Sequence, residues 1–207
     1  MPTEQPDPAI LLEAHRFWFE DLVAGVAPLA ERVKVWFSRR DATDDAIRAR
    51  FADSLDTVAD ADWAFEGLQP AAAIGFVLFL DQFPRNLFRD DGRAFAYDAR
   101  ARAAVRRLIA GGVDRFAPIE RVFLYLPFEH SEELADQDLS VRLYEALLAE
   151  VPEADKEDKE DYRSFVGYAE KHRDLIRRFG RFPHRNADLG RESTLEEIEF
   201  LKDGRGY

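Results

Sequence analysis

Residues 70–86 read PAAAIGFVLFLDQFPRN. From Ala71 to Leu80 ten residues pass without a charge before Asp81 closes the run, well short of the roughly 20 apolar residues needed to cross a bilayer. Pro70 suits the first helical position, and Pro84 disfavours helical geometry in the residue before it. The spacing therefore predicts a buried helix from Pro70 to about Phe83. Asp81 shares a face with Ile74, Val77 and Leu78 and sits at the C-terminal end, where the helix dipole disfavours an anion. It needs a cationic partner, with Arg85, Arg121 and Arg185 as candidates.

Outward from this run the chain reads as a series of helices. Asp7 caps a helix that opens with Pro8, carries Ile10, Ala14, Phe17 and Trp18 at helical spacing, and ends near Glu20. The apolar segment from Pro28 to Phe37 is less regular. Thr43 is placed to cap the stripe Ile47, Phe51, Leu55 and Val58. Further helices are predicted from Arg93 to Ile109, stopped by Gly111 and Gly112, and from Pro118 to a terminator at Pro127. Ser131 caps a segment that runs to about Glu150. Seven acids, two lysines and one proline without periodicity between Glu150 and Asp161 predict a solvated loop. A last long stripe, Phe165, Tyr168, His172, Ile176 and Phe179, closes at Gly180. A capping box at Ser193/Glu196 or Thr194/Glu197 opens a short final helix. No segment alternates with a period of two, so the fold class is all-α: stacked antiparallel helix hairpins forming a single domain over residues 1–207. Ile74, Val77, Phe123, Leu126, Phe165 and Ile176 are predicted core positions.

The chain has 207 residues, 46% of them hydrophobic with 17 Phe, so it can offset the entropy of folding. Its formal charge of -12 repels a phosphate backbone and an anionic membrane, which sets nucleic acid and membrane aside as partners. With no Cys there is no disulfide, thiol nucleophile or cysteine-ligated zinc. The four histidines, His15, His130, His172 and His184, never pair at three- or four-residue spacing, so no metal is expected. No glycine-rich phosphate loop or nucleophile elbow is present, and no cofactor is expected. Met1 to Pro8 holds no Lys or Arg, so a cytoplasmic protein is expected. Nothing in the sequence specifies an oligomeric state.

Two turns match. Phe83-Pro84-Arg85-Asn86 follows the central helix, and Phe182-Pro183-His184-Arg185-Asn186 follows the last long one. Proline fixes the chain direction, while the arginine fork and asparagine amide offer donors to a carboxylate or phosphate. Positive charge collects around both: Arg85 to Arg121 holds nine arginines and five acids, and Arg163 to Arg185 seven bases and two acids. Each Asn could equally cap the next turn, and each Arg bond a structural carboxylate. A third motif, Phe128-Glu129-His130-Ser131, sets a carboxyl beside an imidazole in the break between two helices, ground suited to proton transfer. His130 could instead only cap its loop, and His172, on an apolar stripe, fits a hydrogen-bonded core histidine.

Leu80 to Arg89 (LDQFPRNLFR), Phe123 to Ser131 (FLYLPFEHS), Tyr168 to Asp174 (YAEKHRD), Phe179 to Asn186 (FGRFPHRN) and Leu189 to Thr194 (LGREST) resemble the bacterial domain-of-unknown-function family 924. The resemblance implies a tetratricopeptide-like helical fold in a bacterial cytoplasmic protein and supplies no catalytic assignment. Two function classes follow from the residues. In the first, a concave face binds an anionic small molecule or peptide terminus at a site made of Asp81, Arg85, Asn86, Arg185 and Asn186. In the second, the same pocket is catalytic, with His130 or His184 as acid or base and Glu129 orienting it. A purely structural module would not need Arg, Asn and His gathered at helix ends. Binding is favoured, and its sharpest form has both Phe-Pro turns converging on one pocket with the Glu129/His130 break.

Overall fold

The computed structural model describes residues 7–23, 28–63, 67–152 and 156–202, and among them it is all-α with no strand. The helices are α1 (Ala9–Val23), α2 (Leu29–Trp36), α3 (Asp41–Phe51), α4 (Leu55–Asp60), α5 (Pro70–Leu80), α6 (Gln82–Leu87), α7 (Asp98–Ala110), α8 (Pro118–Glu129), α9 (Leu134–Glu150), α10 (Lys156–Phe179) and α11 (Leu195–Lys202). No helix among the described residues is long and apolar enough to cross a membrane.

Helix α5 is the hub. Ala72 to Leu80 are all buried, and α1, α4, α7 and α8 pack around it. The closest approach is at Gly75, where an added Cβ would lie 2.0 Å from the Leu11 carbonyl oxygen, so α1 rests directly on the α5 backbone. An aromatic layer extends this core: Trp18 meets Phe123 edge-on at 5.7 Å, Trp36 meets Phe123 at 4.8 Å, and Phe51 stacks on Phe83 at 4.8 Å. Helices α8, α9 and α10 follow one another as packed hairpins. A smaller cluster of Leu175, Ile176, Phe182 and Phe200 seats α11. All six positions expected in the core are buried.

Several boundaries differ from the sequence reading, each for a local reason. The central helix stops at Leu80, and Pro84 lies inside α6. Continued helix would drive the Pro84 ring into the Leu80 carbonyl, whereas as the third residue of a new helix Pro84 lacks only an amide that had no partner in any case. Pro127 likewise lies within α8, which continues to Glu129. The turn beyond it closes through the His130 amide on the Leu126 carbonyl (2.8 Å), and the buried Gln137 amide donates to the carbonyls of Glu129 and Ser131 (2.6 Å each). Thr43 is not a cap: α3 starts at Asp41, with acidic residues in its first turn favoured by the dipole. The helix expected from Arg93 is a short 3-10 turn, Gly92–Phe95, followed by α7. Ser131 precedes α9 rather than capping it, accepting from the Glu133 amide and donating to Asp136. The expected acidic loop fails from Lys156 onward, where α10 has begun, and residues 153–155 fall outside the described residues. Of the two possible capping boxes the Thr194/Glu197 pair forms, with the Thr194 amide on Glu197 (2.7 Å) and the Glu197 amide on the Thr194 hydroxyl (3.2 Å).

Because Gly75 lets two helix backbones touch, Gly75→Ala should lower stability by at least about 1–3 kcal/mol, the usual cost of overpacking. Denaturant unfolding of the variant with an unchanged midpoint would show that α1 can move off α5 freely.

Candidate functional site

The site begins where α5 breaks. Asp81, 1% exposed, ends the apolar helix with its carboxylate inward. Gln82 Nε2 donates to its Oδ2 (2.6 Å), His130 Nδ1 lies 2.8 Å from Oδ1, and Arg85 Nη1 approaches Oδ1 at 3.4 Å. Burial pushes this carboxyl upward, but Arg85 and His130 outweigh it and hold Asp81 well below the usual carboxylate range. An ionised Asp81 only accepts, so His130 carries its proton on Nδ1 and keeps Nε2 as its basic nitrogen. Burial, then the nearby Arg85, lowers the His130 pKa, so the ring is neutral near pH 7.

The second turn is brought to the first by two carboxylates. Glu132, between α8 and α9, accepts from the Phe182 amide (2.8 Å) and from Arg191 (2.7 and 3.0 Å). Asp98, at the start of α7, takes both ends of the Arg85 fork (2.8 and 3.0 Å) and lies 3.5 Å from Arg185 Nη1. Arg185 also donates to the His130 carbonyl (3.0 Å), and its guanidinium lies between the rings of Phe95 (4.6 Å) and Phe182 (4.4 Å).

The two arginines are not equivalent. Arg85 bonds the Asp81 carbonyl and both Asp98 oxygens, and although burial opposes its charge, Asp81 and Asp98 raise its pKa. Arg185 is 6% exposed and its Nε is buried without a partner. Burial and then repulsion from Arg85 pull its pKa down to about 10. It stays charged at neutral pH with its counter-charge incomplete. The neighbouring His184 has a buried Nδ1 without a partner, and burial followed by Arg185 lowers its pKa to about 4.

Glu129 is 4% exposed, and its Oε1 lies 3.1 Å from His172 Nδ1. The Tyr144 hydroxyl, also in the lining, donates to the Val122 carbonyl (2.9 Å). Burial first, then the Asp81 charge, pushes the Glu129 pKa up to about 8. His172, bonded to the Tyr168 carbonyl (2.9 Å), is brought down to about 3, chiefly by burial.

These groups open on a cavity of about 670 Å³ whose lining includes Arg85, Glu129, His130, His172, His184 and Arg185. The lining also holds the aromatic Phe37, Phe95, Phe165 and Tyr168, and Lys34, Arg39 and Arg89, which pair with Glu31, Asp90 and Asp44. Asp81 stands behind His130 rather than in the lining. Asn86 and Asn186 are turned away: Asn86 donates to Asp44 (2.7 Å), and Asn186 to Ser193 (3.0 Å) and Glu197 (3.3 Å). Their place in a ligand-binding set is corrected to a structural one, since each spends its amide on a carboxylate that fixes its turn. Arg121 pairs with Glu150 (2.7 Å) and His15 with Glu120 (2.5 Å), both away from the lining. Sequence reasoning missed Asp98, Tyr144 and Gln137. Asp98 did leave a signal, as the single acid in the Arg-rich stretch DARARAAVRRLIA. Among the described residues no three His, Cys, Asp or Glu side chains are grouped to hold a metal ion.

A model of a bacterial protein family of unknown function matches residues 14–205, nearly the whole chain and every motif of the site. The chain belongs to the bacterial family DUF924. A solved structure of a protein of unknown function from Agrobacterium tumefaciens is similar to it, with 33% identity, a TM-score of 0.76, and coverage of 96% of this chain and 100% of that one. No curated protein matches. The cavity thus lies within the matched region of a DUF924 chain.

Two stability measurements check the charge states. Asp81 has a lowered folded pKa, so its contribution is present above the unfolded value near 3.9 and fades as pH falls below it. Asp81→Asn should cost on the order of 3 kcal/mol at pH 7, with a smaller deficit below about pH 4. Glu129 has a raised one: between about pH 4.3 and 8 the unfolded chain ionises while the folded chain keeps its proton, and stability falls through that window. Glu129→Gln should therefore gain on the parent between pH 4 and pH 8 in urea unfolding. A constant difference between the two would mean that Glu129 is ionised in the fold.

Proposed function

We propose that this DUF924 chain binds an anionic small molecule or a peptide terminus in the cavity, with Arg185 as the gripping cation and Arg85 as its buttress. The observation that carries this reading is the unbalanced state of Arg185: buried, stacked between two phenyl rings, one nitrogen without a partner, and short of a full counter-charge. A carboxylate or phosphate in the cavity would supply the counter-charge that Asp98 gives mainly to Arg85. Stacked hairpins of a tetratricopeptide-like kind supply concave faces of this sort.

The test is thermal unfolding with phosphate, acetate, phenylacetate and a short peptide with a free carboxylate. At a ligand concentration of 100 Kd the parent should gain about 2.7 kcal/mol, less as salt is raised. Arg185→Ala should abolish the gain, read against that variant's own unliganded midpoint, which falls with the loss of the His130 carbonyl bond and of packing on Phe95 and Phe182. Arg85→Ala should destabilise the unliganded protein more, because Asp81 and Asp98 lose their shared partner. An Arg185→Ala protein stabilised as strongly as the parent would refute the assignment.

A further inference from the structure

We propose that the cavity is a proton-transfer active site, in which His130 Nε2 is the general base and the Glu129 carboxyl the general acid, acting on a 2-oxo carboxylate with an apolar substituent. The inference rests on the reading that Arg185 holds an anion there.

His130 and Glu129 are consecutive residues at the end of α8, both in the lining, and the fold gives them opposite roles. Asp81 occupies His130 Nδ1, fixes the tautomer and leaves Nε2 as the nitrogen that can take a proton. Glu129 is buried with the His172 imidazole, not a guanidinium, 3.1 Å from its carboxyl, and no cation-bearing side chain is paired with it among the described residues, so its surroundings favour the protonated acid. Two neighbouring groups whose surroundings drive their protonation apart form an acid/base pair. His172 lies beside both, its Nδ1 3.1 Å from Glu129 Oε1 and its ring edge-on to that of His130 with centroids 6.4 Å apart.

The surroundings select the chemistry. Among the described residues His130 hydrogen-bonds no hydroxyl side chain, and Ser164 in the lining gives its hydroxyl to the Asp161 carbonyl (2.6 Å), so His130 is not placed to activate a nucleophile. Phe37 and Tyr168, each 47% exposed, line the same cavity and provide an apolar surface for a substituent. With the substrate carboxylate on Arg185, His130 Nε2 removes a proton from C3. The C3–H electron pair becomes the C2–C3 double bond, and the ketone oxygen takes the proton of Glu129, giving the enol. In the reverse step the His130 imidazolium, after exchanging its proton with solvent, returns a proton to C3, the C2–C3 electron pair forms that bond, and the enol oxygen gives its proton back to the Glu129 carboxylate, so no oxidant, reductant or further reactant is consumed.

The test is solvent exchange in D2O with phenylpyruvate, following loss of the C3–H signal by NMR alongside thermal stabilisation by the same compound. The wild-type chain should exchange C3–H above the buffer rate. His130→Asn, whose amide can still donate to Asp81, and Glu129→Gln, isosteric with the protonated acid, should each slow exchange by about 100-fold or more while remaining stabilised by phenylpyruvate. The groups facing the pair are Asp81, Arg85, Tyr144, His172, His184 and Arg185. With these in place the wild-type rate should fall as pH rises through about 8, where Glu129 ionises. Stabilisation without exchange overturns the proton-transfer inference and leaves the anion site standing. Neither stabilisation nor exchange overturns both for this substrate class. Undiminished exchange in His130→Asn removes His130 as the base, and where that variant fails to fold, Glu129→Gln decides.

Discussion

One buried carboxylate organises this protein. Asp81 interrupts the most apolar helix of the chain at the end where the dipole opposes it, and its charge survives only because Gln82, Arg85 and His130 converge on it. Each of those partners is thereby fixed. Gln82 and Arg85 define the first turn of α6, Arg85 reaches on to Asp98, and His130 is held at the end of α8 with a defined tautomer. The end of α5 at Asp81 is thus what orients the His130 ring at the cavity.

The charges around the cavity come in linked sets. Asp81 and Asp98 stand against Arg85 and Arg185, with Asp98 shared. Glu132 and Arg191 tie the second turn to the α8–α9 connection. Within this arrangement Arg185 alone among the four lacks full compensation, because Asp98 gives its better geometry to Arg85. That asymmetry separates a residue that supports the fold from one that can receive a ligand, although the two sit in nearly identical Phe-Pro turns.

The sequence made the helices legible through their apolar stripes, and the pairing of Asp81 with an arginine followed from the cost of burying an anion. The convergence of Arg85, Glu129, His130, His184 and Arg185 was anticipated from the repeated turn. What it concealed was which polar groups are spent. Asn86 and Asn186 look like ligand donors until Asp44 and Glu197 are seen to occupy them, and those contacts join residues far apart in sequence or hidden in an ordinary capping box. The two internal prolines misled for a different reason: each is tolerated because its missing amide falls at a helix start or beside a turn closed by other bonds. The acidic run before Tyr162 read as loop because charge masks periodicity at the solvated start of a long helix.

The most direct test of the organising role of Asp81 is the histidine nitrogen spectrum of the 15N-labelled protein at pH 7. His130 should appear as a neutral ring protonated on Nδ1, with an unprotonated Nε2, and Asp81→Asn should disturb that signal more than those of His15 or His184. An imidazolium at this position, or a ring protonated on Nε2, would contradict the account, because Asp81 would then not be the group that aims His130 into the cavity.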